Sequence, residues 1–163
     1  MLHIFRLILR QKVTRKRTIT PVTRRHAEII AKWAQRLKVN RTLEYGYRSN
    51  LIHDALTKIG IETHGISNLK DLKRVPTNEY DMAYTTSSLC AEKSPEDALH
   101  ELIRTGRYAV IIEPLNDIDY DRLLNRPDVE VLHRSNTPIN GDRNHYTWVI
   151  RTIDIPIEEW TGI

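Results

Sequence analysis

The chain has 163 residues, 40% of them hydrophobic and 28% charged, the make-up of a single globular domain able to bury its own core. A single cysteine, Cys90, excludes an internal disulfide framework and suits a reducing, cytoplasmic setting. No apolar run is long enough to span a bilayer, and Met1–Leu9, with Arg6 inside it and no small-residue cleavage site, does not read as a secretory signal.

The net charge of +4 is a local feature. Residues 1–25 carry Arg6, Arg10, Lys12, Arg15, Lys16, Arg17, Arg24 and Arg25 and no acid; removing these eight from the 25 basic residues leaves 17 against 21 acidic ones. Residues 1–19 therefore read as a basic amphipathic leader, followed by a domain over 20–155 and a tail over 156–163. Three roles stay open for the leader: an arm for nucleic acid, an anchor on an anionic membrane surface, or a helix docked on its own domain with a solvated face. Phe5 stands without interleaved aromatics, which argues against a base-stacking surface there.

Thr20-Pro21 reads as an N-cap with proline at the first helical position. Val22, Ile29, Ile30, Trp33, Ala34 and Leu37 then predict a helix of about 17 residues with Trp33 in the core. Thr42–Gly46 predicts a first strand, Ser49 a cap, and Leu51, Ile52, Ala55, Leu56 and Ile59 a second helix stopped by Gly60. Ile61–Ile66 and Tyr80–Thr85 predict strands, with no more than one helical turn at Leu69–Arg74 between them. Ser94-Pro95-Glu96-Asp97 has the form of a capping box ahead of a helix packed through Ala98, Leu99, Leu102 and Ile103. Tyr108–Glu113 is nearly continuously apolar, as in a strand buried on both faces. A short helix over Asp119–Leu124 and strands over Val129–Leu132 and Tyr146–Thr152 follow, the last two made antiparallel neighbours by an Asn140-Gly141 turn. The whole predicts an α/β three-layer sandwich.

The segments, in this order, resemble class I S-adenosylmethionine-dependent methyltransferases over roughly residues 27–152. Leu43-Glu44-Tyr45-Gly46 is similar to the family's first motif, an acid closing the first strand before a glycine turn under the cofactor. His64-Gly65-Ile66-Ser67 resembles the end of the second strand and Glu79–Thr85 the fourth; Ser94–Arg104 with Gly106–Ile112 resembles the helix and fifth strand. The resemblance implies a Rossmann-like methyltransferase fold, S-adenosylmethionine as cofactor, an acceptor substrate of unknown kind, and Glu44, Gly46, Tyr47, Arg48, Ser67 and Thr85 around the cofactor.

The chain departs from that pattern at three places. Arg48 and Asn50 stand where the family repeats glycine; asparagine tolerates the left-handed backbone region glycine serves there, whereas arginine brings a cation to a site for cations. Ser67 and Asn68 replace the acid that accepts from the ribose hydroxyls. Only 13 residues, Ser67–Glu79, separate the second strand from the next, so the family's third-strand unit is missing and the exposed second strand offers an edge for a homodimer. Glu44 has two readings, facing the cofactor or pairing with Arg48. The seven histidines show no metal-ligand spacing, no metal is expected, and no catalytic residue is assigned. Two functions stay open: an active methyltransferase, and a non-catalytic binding or scaffolding module with the same fold and a basic arm.

Overall fold

The computed structural model describes residues 21–46, 50–114, 117–139 and 143–154. The leader over 1–19, Thr20, the residues at 47–49, the Asn140-Gly141 turn and the tail over 156–163 lie outside the described residues.

Six strands form one sheet in the order β2-β1-β3-β4-β6-β5. They are β1 (Arg41–Tyr45), β2 (Glu62–Ile66), β3 (Tyr80–Thr86), β4 (Gly106–Pro114), β5 (Val129–Ile139) and β6 (Arg143–Thr152). The first four run parallel, while β6 lies antiparallel to both β4 and β5. Strand β4 is the apolar centre: Ala109, Val110, Ile111 and Ile112 are all fully buried because helices cover both faces.

On one face lie α1 (Pro21–Arg36) and α2 (Asn50–Lys58), which bury Ile30, Trp33, Ile52 and Leu56 against Met82, Val110 and Val149. On the other lie α3 (Leu69–Leu72), α4 (Pro95–Thr105) and α5 (Tyr120–Leu124), which bury Leu72, Leu99, Leu102 and Leu124 against Ala109, Ile111 and Trp148. The expected three layers are present. Among the described residues the connection from β2 to β3 holds only the single turn α3, and β2 is a sheet edge, as the short 67–79 interval implies.

Three local readings are corrected. Strand β5 runs to Ile139 instead of stopping at Leu132, passing a register shift between Val131 and His133. Its second half is polar because an edge strand meets water, so an apolar count stops too early. Ser94 forms no side-chain cap where α4 starts on Pro95; its backbone carbonyl accepts from the Ala98 N–H at 3.1 Å. Asn50 is the first residue of α2 and is not among the positive-φ residues, so asparagine's left-handed tolerance is not used.

Helix α4 ends at Thr105 and β4 starts at Gly106 with no residue between. A Cβ on Gly106 would lie 2.7 Å from both the Ala83 nitrogen and the Tyr108 carbonyl oxygen. Both are backbone atoms in a sheet and cannot turn aside. Gly106→Ala is therefore expected to destabilise the fold by roughly 1–3 kcal/mol, the usual cost of overpacking, read as a lower denaturant midpoint with unchanged m.

Candidate functional site

The carboxyl ends of parallel strands are where α/β sheets bind ligands, and of the expected residues Glu44, Gly46, Ser67 and Thr85 lie there. Tyr45 at the end of β1 is in register with Ile66 of β2 and with Thr85 of β3, so Gly46, Ser67 and Thr85 stand at adjoining strand ends. Gly46 turns the chain with φ of +81°, a left-handed conformation that favours glycine. A Cβ there would also lie 2.0 Å from Ser88 Oγ, so Gly46 serves a close approach as well as a turn.

Glu44 is buried, with 3% exposure. Its Oε2 lies 2.9 Å from His53 Nε2 on α2, and it accepts from Tyr84 Oη at 3.4 Å. Tyr84 in turn meets Thr63 of β2 at 3.4 Å. The partner foreseen for Glu44 was Arg48, which lies outside the described residues, as does Tyr47. Nothing in the sequence marked His53: it sits beside the buried Ile52–Leu56 stripe, nine residues and one element away from its acid.

The segment after β3 is fixed by a second buried acid that sequence reasoning missed. Glu113, near the end of β4 and fully buried, accepts from the backbone N–H groups of Ser88 (3.0 Å), Leu89 (3.1 Å) and Cys90 (3.3 Å). Burial pushes its carboxyl above the ordinary glutamate range, and the three N–H groups oppose that shift. The same segment is tied to β1 by a hydrogen bond between Tyr45 Oη and Glu92, and burial raises the Tyr45 phenol well above its ordinary value.

Ser67 is exposed at the end of β2. Asn68 beside it caps α3, accepting from the Asp71 N–H at 2.9 Å and donating to the Asp71 carboxylate at 2.8 Å. Thr85 is fully buried, its hydroxyl without a hydrogen-bond partner among the described residues. On the α1 side, His26 and His145 of β6 meet edge-on with ring centroids 5.1 Å apart, and Ser87 Oγ lies 3.3 Å from His145 Nε2. Ser87 holds φ of 52°. Among the described residues no three His, Cys, Asp or Glu side chains stand together to hold a metal, and no helix is long and apolar enough to cross a membrane.

No protein-family profile and no curated protein matches the sequence. Solved structures do match. The magnesium protoporphyrin IX methyltransferase of Synechocystis PCC 6803 with bound S-adenosylmethionine superposes with a TM-score of 0.65 at 10% identity, over 80% of each chain. A structure described as a putative RNA methyltransferase of Pyrococcus horikoshii gives 0.57 at 9% identity, over 78% of this chain and 82% of that one. The chain has the fold of class I S-adenosylmethionine-dependent methyltransferases. A 4+2 cyclase shares it too, with a TM-score of 0.55 at 12% identity over 80% of each chain, so the methyltransferase fold alone does not fix the chemistry.

At the end of β1 a buried acid, Glu44, precedes a left-handed glycine, Gly46. At the end of β2 no acid stands at Ser67 or Asn68, and the Asn68 amide is engaged by α3.

Two outcomes follow from these buried groups. Glu113→Ala leaves three backbone N–H groups without their acceptor and should cost at least about 3 kcal/mol in chemical denaturation, with Glu113→Gln losing less. His26 is held down to about 4, first by burial and then by His145. Its neutral form is the folded form, so its contribution is complete above the free value of 6.5 and is lost as pH falls towards 4. Stability should drop by on the order of 3 kcal/mol across that window, and His26→Leu should flatten the pH profile of the unfolding midpoint.

Proposed function

We propose that this protein binds S-adenosylmethionine at the carboxyl edge of β1 and is a methyltransferase for an acceptor of unknown kind. The observation that carries this reading is the buried acid Glu44 followed by Gly46 at φ of +81°, at the end of the strand between β2 and β3. Glu44 would hold the cofactor's ammonium group and Gly46 would let the backbone approach it. Tyr47 and Arg48 follow in the sequence, and Ser67 and Thr85 stand at the neighbouring strand ends. Bound there, the cofactor supplies a methyl group on a sulfonium centre; the chain's part is to orient it and exclude water, since methyl transfer runs largely on alignment.

A second reading has its own observation. Ser88 already fills the close side of Gly46, and Glu44 already has His53 beside it. These contacts favour a methyltransferase fold kept as a binding or scaffolding module.

Thermal unfolding with S-adenosylmethionine or its demethylated product separates the two. Ligand at about 100 times its dissociation constant should add roughly 2.7 kcal/mol, a rise of about 5–10 °C for a chain of this size. Glu44→Gln should remove most of that rise while leaving the ligand-free melting within a few degrees. Absence of any shift at millimolar ligand would overturn the transferase reading.

A further inference from the structure

The outward flank of α1 carries Arg24, Arg25, Lys32 and Arg36 against the single acid Glu28, all exposed. Arg25, Lys32 and Arg36 line a cleft of about 230 Å³ between α1 and the edge strand β5, whose His133 and Ser135 form the facing wall. Over the 11 residue steps from Arg25 to Arg36, a helix rises roughly 16 Å, so the cations form a row and not a point.

Three observations give this cleft a ligand of definite chemistry. First, its charge is one-sided: Glu28 is taken by Arg25 at 3.2 Å, and among the described residues no acid lies within 4.0 Å of the charged groups of Lys32 or Arg36. Second, Arg36 lies over the Trp33 ring at 5.0 Å, and Trp33 meets His133 at 5.1 Å, so the guanidinium is held at the rim by a stack of rings. Third, Thr147 of β6 contributes to the lining although it is only 1% exposed, and its hydroxyl has no hydrogen-bond partner among the described residues. A buried hydroxyl left unmatched is costly unless something pairs with it.

We propose that this cleft is a docking site for the phosphodiester backbone of a single-stranded nucleic acid. Phosphate oxygens supply repeated negative charge along the cation row and an acceptor for the Thr147 hydroxyl. A cleft this small takes one strand. A membrane is the poorer match, because the cations line a concavity whose apolar residues offer little surface, Trp33 being buried and Ile29 half-buried. The proposal does not rest on cofactor binding at the end of β1.

The test is fluorescence anisotropy of the full chain with a labelled 20-nucleotide single strand of mixed sequence, titrated between 50 and 200 mM salt. Lys32→Gln with Arg36→Gln should weaken binding roughly 10–30-fold at 0.1 M salt and reduce the log–log salt slope by about 1.4, two phosphate contacts at about 0.7 each. A control pair on the far face, Lys70→Gln with Lys73→Gln, should leave both unchanged. Thr147→Val should weaken binding several-fold while holding or raising the ligand-free melting temperature, because it removes an unmatched buried hydroxyl. Melting curves check that each variant is folded. No binding at 50 mM salt, or equal losses in the cleft and control pairs, overturns the proposal. So does dependence on Lys32 and Arg36 for phosphatidylserine vesicles or polyglutamate but not for the oligonucleotide.

Discussion

The carboxylate of Glu113 holds the carboxyl edge of this sheet together. An acid in the apolar centre of a sheet is unfavourable on its own, and this one is tolerated because three successive N–H groups converge on it from residues 88–90. That convergence fixes the segment after β3, which in turn sets Ser88 against the α-carbon of Gly46 and brings Glu92 to Tyr45. Strands β1, β3 and β4 are thus joined at their ends by side-chain and loop contacts as well as by their ladders. The geometry of the glycine turn depends on a residue 67 positions further along the chain.

Glu44 shows that a residue's position and its contacts have separate origins. It stands within the short buried strand β1, two residues before a left-handed glycine. Its contacts belong to this chain: a histidine from α2 and a tyrosine from β3. Position comes from strand order and register, which tolerate wide sequence change. Chemistry comes from side chains that need not follow.

The layers were legible because periodicity reports burial. The apolar sets on α1, α2 and α4 face the sheet, the unbroken run in β4 is its centre, and the 13-residue interval left no room for another strand. The Gly46 turn was legible because glycine beside a strand end has few other uses. The contacts of the site were not. Glu113, His26, His53 and His145 act through partners in other elements, and composition carries no trace of such pairings. The polar half of β5 escaped for a related reason, since an edge strand satisfies its backbone without an apolar signature. Ser94 misled in the other direction: its neighbours have the spacing of a capping box, but its side chain makes no cap hydrogen bond.

The direct passage from α4 into β4 makes the length of this segment as binding as its composition. With no loop between Thr105 and Gly106 there is no slack to absorb an inserted or deleted residue. One extra residue on the helix side would rotate its buried stripe by about 100°. One on the strand side would turn the side chains of β4 onto the opposite faces. Descendants of this sequence are therefore free to drift in residue type along α4 and β4 far more than in their count, and any change in count must be absorbed elsewhere.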